Sequence, residues 1–312
     1  MINKTTKSFK FIVAGIEAGI ILSICWYVLR TLFLNFEQLE LSDGGFRPLF
    51  LVYSFPFAIS YLLGRGLIWH LMADKIIGAH EARLNILVWL GSVIGKYLPG
   101  KVFLLLGRMH FYRDIGASKK KIGFCFLMEV CCSILAASTT FLISLGLRGG
   151  GKEMKFLVPV LSTAVLLLLL THPAVLRRLF KVYCKLFKRP FVEFQLRWSS
   201  ILFWIILMVS NWLVLGMGFY LLLSSIAPIS FHLMPYLTGS FALAGVIGLL
   251  VVFAPSGIGV REAVMMTALV LVLPKGMAAA GTILARIWIT LAELACSLAA
   301  LFMLKCSRGS QR

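Results

Sequence analysis

The sequence is short of charge. Asp, Glu, Lys and Arg make up 14% of its 312 residues, and only 12 of the charged residues are acidic; soluble domains carry about a quarter charged residues. With 60% hydrophobic residues and a mean hydropathy of +0.94, the chain reads as an integral membrane protein. Motifs are scarce too. There is no P-loop, no GxSxG, no DxD-like run and no GxGxxG after a strand, so transport driven by a phosphoanhydride on this chain has no support. The seven cysteines, at 25, 125, 131, 132, 184, 296 and 306, never form a CxxC pair, and the five histidines have no HxxxH or HxxE spacing. Metal and disulfide readings are weak on those spacings, no cofactor is expected, and the cysteines read as small packing residues.

What is present are apolar runs, near 11–29, 48–64, 122–147, 156–171, 199–223, 233–254 and 277–304. Runs of roughly 17 to 25 such residues cross a bilayer as helix, and unbroken runs exclude a spanning barrel. The fold class expected is therefore all-α: a polytopic membrane bundle of about 6–8 helices in a single domain, with no soluble domain. The net charge of +19 falls mostly in short loops between the runs. That pattern sets topology in inner-membrane proteins and argues against nucleic acid.

Lys4, Lys7 and Lys10 precede the first run, five cations lie in 108–121 and seven in 172–198, so these segments are expected in the cytoplasm, with both termini. Residues 30–47, with Glu37, Glu40 and Asp43, belong outside, while Arg148, Lys152 and Lys155 break the alternation. The basic, aromatic-rich stretch 172–197 reads either as an amphipathic segment on anionic lipid or as a topology-setting loop.

Two stretches break the helical pattern. Residues 84–108, "LNILVWLGSVIGKYLPGKVFLLLGR", are apolar at both ends but hold Lys96, Pro99, Gly100 and Lys101 at the centre. A re-entrant hairpin would put its two basic flanks, 65–83 and 108–121, on one side, whereas a plain crossing would separate them. The second stretch is "FAPSGIGVREAV", 253–264, followed by a run of about 14 residues, 260–273, short of the roughly 20 that span. It reads as a second hairpin entered from the opposite side, and three full crossings would end at the same place. Paired Gly/Pro breaks in two halves point to a midplane substrate site in transporter-like folds.

Charge inside a membrane costs about 2.5 to 3.5 kcal/mol on insertion scales and needs a reason. Glu17, Lys96, Lys101, Glu129, Arg261, Glu262, Arg286 and Glu293 are such charges. Arg286 and Glu293 are seven residues apart, too far for an intrahelical pair, so each looks to another segment: Arg286 toward Glu262, or Glu129 toward Arg261. In the second break Pro255 ends the incoming helix, Gly257 and Gly259 permit a tight turn, and a new helix start beside Arg261 suits a phosphate. Glu262 in that first turn favours the dipole and could hold either arginine. The competing reading is a surface loop with a snorkelling Arg261 and a capping Glu262, which accounts poorly for Glu129, Arg286 and Glu293.

"APSGIGVREAV", with Arg286 some twenty residues on, resembles the PGG-G-RE signature of the lysylphosphatidylglycerol synthase transmembrane-region family, also called flippase-like domain proteins. "KYLPGKVFLLLGRMHFYRDIGAS", 96–118, is similar to that family's earlier motif, and Glu129 matches a Glu of its next helix; the likeness covers about 80–300. Ser256 stands where the family often has Gly. The soluble aminoacyl-transferase domain of multiple peptide resistance factors is missing from these residues, which argues against aminoacyl-lipid synthesis. The resemblance implies translocation of an anionic phospholipid or a polyprenyl-phosphate-linked sugar, or support of a lipid or polysaccharide biosynthesis enzyme. It carries over Pro99, Gly100, Lys101, Gly107 and Arg108 from the first motif, and Pro255, Gly257, Gly259, Arg261, Glu262 and Arg286 from the second. Lys101, Arg108 and Arg261 would neutralise phosphate, with Arg286, Glu262 and Glu129 in support. A membrane transferase using Glu129 or Glu262 as general base is the enzyme alternative.

Overall fold

The computed structural model describes residues 45–97, 102–113, 115–148, 196–251 and 257–309, with isolated positions between 158 and 178. The apolar run 11–29, most of 156–171, the N-terminus, Pro99, Gly100, Lys101, Pro255 and Ser256 lie outside them. The described residues form eight α-helices and no strand. These are α1 (Pro48–Ile76), α2 (Ala82–Ser92), α3 (Val102–Phe111), α4 (Lys119–Arg148), α5 (Trp198–Ser224), α6 (Met234–Leu250), α7 (Val260–Leu269) and α8 (Lys275–Gly309). Five stretches are long and apolar enough to cross a membrane: Pro48–Ile76, Lys119–Leu147, Trp198–Ser224, Phe231–Leu250 and Lys275–Cys306. The chain is a multi-pass helical membrane protein.

Between lipid-solvated helices there is little hydrophobic drive, so association relies on close packing at small residues and on polar contacts. Gly64 of α1 meets Asn211 of α5, Gly216 of α5 meets Thr238 of α6, and Gly239 of α6 meets Ser144 of α4. The Asn211 side chain donates to the Tyr61 carbonyl at 3.0 Å, closing one of these crossings with a hydrogen bond. Trp69, Trp204, Phe219, Phe241 and Trp288 fill the interior.

The first break is a hairpin. Along a straight helix, Ser92 and Arg108 would be about 24 Å apart at 1.5 Å per residue; instead Arg108 Nε donates to Ser92 Oγ at 3.2 Å. At the open end the Tyr112 hydroxyl donates to Asn85 Oδ1 at 2.7 Å, so α3 runs back along α2. The tip is a 3-10 turn, Val93–Tyr97. Gly95 lies so close to Phe103 and Leu104 that a Cβ there would sit 2.8 Å from the Leu104 nitrogen. At 11 and 10 residues, α2 and α3 reach only about 15 Å each, and Arg83 and Arg113 come to one end of the bundle while Arg65 and Arg108 of the same basic flanks lie within it.

The second break folds back too. Tyr236 near the start of α6 donates to the Ala268 carbonyl near the end of α7 at 2.9 Å, and Gly257 rests on Gly248. Gly257 has φ +69, and a Cβ on it would lie 2.7 Å from Gly248 Cα; only glycine combines that turn with that contact. The expected half-helix 260–273 is shorter, ending at Leu269, because residues 270–273 leave the α ladder in turns before α8 begins at Lys275.

The hairpins open at opposite ends. Lys75, at the end of α1, donates to Ser200 at the start of α5, which places both at the end where α2 begins. At the other end Arg47 N donates to Ser225 O at 2.9 Å, beside the start of α6. Arg148 and Leu196 therefore lie at opposite ends of the bundle. α8 runs the full length between the hairpins, packing against α2, α7 and α1.

Candidate functional site

The tips of the two hairpins meet α8 halfway along its length. The first tip brings Lys96 Nζ to Glu293 Oε1, and the Tyr97 hydroxyl donates to Glu293 Oε2 at 2.5 Å. The second tip brings Glu262, whose Oε1 lies 3.4 Å from Arg286 Nε. Glu262 Oε2 also accepts from the Gly259 backbone N–H at 2.6 Å, which satisfies an orphan donor at the start of α7. The seven residues from Arg286 to Glu293 separate the two pairs by about 10 Å along α8. The order of charge is reversed between them: one hairpin carries the cation to an acid on α8, the other carries the acid to a cation.

Arg261 stands beside this arrangement. Its guanidinium lies over the Phe241 ring at 4.7 Å, in a small cavity lined by Phe241, Glu262, Met265, Thr282 and Arg286. It is within electrostatic reach of Arg286, Glu293, Glu262 and Tyr61, yet no carboxylate lies within ion-pair distance of it among the described residues. Lys96 faces Glu293 and Arg286 faces Glu262, so among the described residues Arg261 is the cation of this group that no carboxylate meets at ion-pair distance. An aromatic face is a partial counter-charge for the Arg261 guanidinium that lies over it.

A second charged group lies inside the first hairpin. Glu129 of α4 is 4% exposed and Arg108 of α3 is 1% exposed. Glu129 Oε2 accepts from Arg108 Nη1 at 2.5 Å, and Oε1 accepts from Arg65 Nη2 at 3.1 Å and Trp89 Nε1 at 2.7 Å. The Arg108 guanidinium lies 3.9 Å from the Trp69 ring centroid. Trp69 Nε1 donates to the Tyr112 hydroxyl at 2.8 Å, which runs the network on to Asn85. One acid thus holds two arginines from two helices, and the network ties α1, α2, α3 and α4 together.

The structure brings Arg261, Glu262 and Arg286 into one group with Gly257 and Gly259 in its turn, and the expected Arg286–Glu262 pairing is present. The other expected pairing is replaced: Glu129 faces Arg108 and Arg65 rather than Arg261, because α4 packs on α1 and α3 at that level. Arg108 accordingly has its guanidinium on Glu129, Ser92 and Trp69 instead of open to a phosphate. Sequence reasoning missed Arg65, Trp89, Asn85, Tyr97 and Tyr112. Arg65 follows an apolar run ending at 64 and resembles a helix flank, but α1 continues to Ile76. Lys96 and Glu293 were visible as intramembrane charges, though not as partners. A scan of known protein families finds no match to this chain, and a search of curated proteins finds none either.

Proposed function

We propose that this protein binds the anionic head group of a membrane lipid at Arg261, between the two hairpin tips, and lets it exchange between leaflets. The lipid class is an anionic phospholipid or a polyprenyl-phosphate-linked sugar, as the likeness to flippase-like domain proteins implies. The observation that carries the reading is Arg261, met by no described carboxylate at ion-pair distance, at the meeting point of hairpins that open to opposite ends. Broken helices converging from both sides on a midway charge are the geometry by which transporters bind at the bilayer midplane. The Arg286–Glu262 pair supports Arg261 by fixing the first turn of α7. Lys101 belongs to the same reading as a second phosphate contact, and Arg108 with Glu129 holds the first hairpin in shape. The basic loops support a location in the cytoplasmic membrane with both termini inside.

The test is leaflet exchange of a fluorescent phosphatidylglycerol in proteoliposomes. Losing a hydrogen bond to a charged group costs about 1.5–3 kcal/mol, so Arg261→Ala is expected to slow exchange by about ten- to a hundredfold, with Arg261→Lys recovering part. Exchange unchanged in both Arg261→Ala and Glu262→Ala would end this reading.

A further inference from the structure

A separate cavity of about 300 Å³ lies at the end of the bundle where α5 finishes and α1 begins, lined by Arg47, Phe50, Tyr220, Ser224, Pro228, Ile229 and Ser230. Its walls are held in place. Arg47 N donates to Ser225 O at 2.9 Å, the Tyr220 hydroxyl donates to Ile229 O at 3.2 Å, and Tyr220 packs edge-on against Phe231 at 5.5 Å. Ser230 Oγ lies 2.7 Å from His232 Nδ1.

Two polar side chains here have no partner among the described residues. Arg47 is exposed and its guanidinium makes no ion pair with a described carboxylate. Ser224 is 5% exposed and its Oγ has no hydrogen-bond partner. That is unusual within this chain. Ser133, Thr140, Thr238, Ser240 and Thr282 all donate to the carbonyl four residues back, which is how a hydroxyl is satisfied inside an apolar helix. Ser224 lines the cavity and makes no such bond; its Oγ is shut off from the cavity as it stands, and a turn about χ1 offers this costly unpaired hydroxyl to an occupant.

We infer that this cavity is a second lipid site, which takes the phosphate of an anionic phospholipid from the leaflet at that end. Arg47 supplies the charge, and Ser224 Oγ a hydrogen bond once its χ1 has turned toward the cavity. Phe50, Pro228 and Ile229 give the apolar floor that suits the glycerol end of such a head group, and the volume fits a small ligand. The source is lipid rather than solute because the flank of the cavity is apolar and outward-facing: Phe46, Leu49 and Val52 are 62%, 65% and 60% exposed, a surface for acyl chains running down α1. The assignment rests on the chain being a membrane protein and not on leaflet exchange through Arg261.

The experiment is native mass spectrometry of the full chain released from micelles, titrated with phosphatidylglycerol, phosphatidylcholine and, separately, water-soluble glycerol 3-phosphate. Arg47→Ala and Ser224→Val each remove one contact at the surface end of the bundle, and thermal unfolding checks that both fold as the wild type does. Phosphatidylglycerol binding weakened about tenfold or more in each variant, with Arg261→Ala retaining this site, is the expected result. Equal phosphatidylglycerol binding by wild type and both variants would overturn the site. Glycerol 3-phosphate binding as tightly, with the same dependence on Arg47, would overturn the lipid source and leave a solute anion site. If the proposed exchange fails while this binding stands, only the function of Arg261 is refuted.

Discussion

Glu129→Ala removes the acid that, among the described residues, holds both Arg108 and Arg65. At about 4 Å and an effective dielectric of about 20, each attraction is about 4 kcal/mol. Part of that is returned when the carboxylate no longer has to be desolvated, and breaking a buried pair costs about 3–5 kcal/mol net. Because two cations are stranded rather than one, and Trp89 Nε1 loses its acceptor, the loss is expected at about 5 kcal/mol. Glu129→Gln keeps an acceptor oxygen and should lose about half as much. The companion variant is Glu129→Leu with Arg108→Met. Replacing a buried pair by apolar groups of similar size is close to neutral in other proteins, so the double variant should be at least about 2 kcal/mol more stable than the sum of the two single losses. Equilibrium unfolding in mixed micelles, followed through tryptophan fluorescence, measures Glu129→Ala, Glu129→Gln, the double variant and its two singles. Glu129→Ala within about 1 kcal/mol of wild type, or strict additivity of the pair, would refute the network as a tie between helices.

Gly257→Ala should destabilise by at least about 2 kcal/mol, since a left-handed alanine costs about 1–2 kcal/mol before its methyl meets Gly248; proteolytic cutting of the second hairpin in micelles should rise accordingly. Lys96→Met and Glu293→Leu should each destabilise by about 3 kcal/mol, and their combination by clearly less than the sum, read by the same micelle unfolding.

Both breaks were legible in the sequence, and for a physical reason, whereas the choice between hairpin and crossing stayed open. A Pro-Gly-Lys interruption in 84–108 and a Pro-Ser-Gly break followed by a short run are local signals that a helix cannot pass straight through. The Arg286–Glu262 pair was legible because both charges sit in apolar surroundings and need a partner. The partner of Glu129 was not. Arg65, Arg108 and Arg261 are all cations within the bundle, and which one an acid meets depends on which helix faces it, a choice made by packing at Gly and Ser crossings across the whole chain. Arg65 was hidden further by a change of composition inside α1, where an apolar half gives way to a more polar half without any break in the helix. The Lys96–Glu293 pair spans a separation of 197 residues, beyond the reach of any periodicity.

That separation has a consequence for how the protein is made. The first hairpin cannot stand in hydrocarbon by itself, with a 3-10 turn at its tip and a Lys96 that would lack its acid there until α8 arrives. Its tip is held by Glu293, and Ser297 donates to the Leu90 carbonyl at 2.8 Å, so both supports come from α8. At about 5–20 residues per second, the ribosome needs roughly 10–40 s to deliver Glu293 after Lys96. Through that interval the N-terminal half must wait at the membrane surface or be sheltered by the insertion machinery, and the final helix acts as the keystone that lets the first hairpin enter.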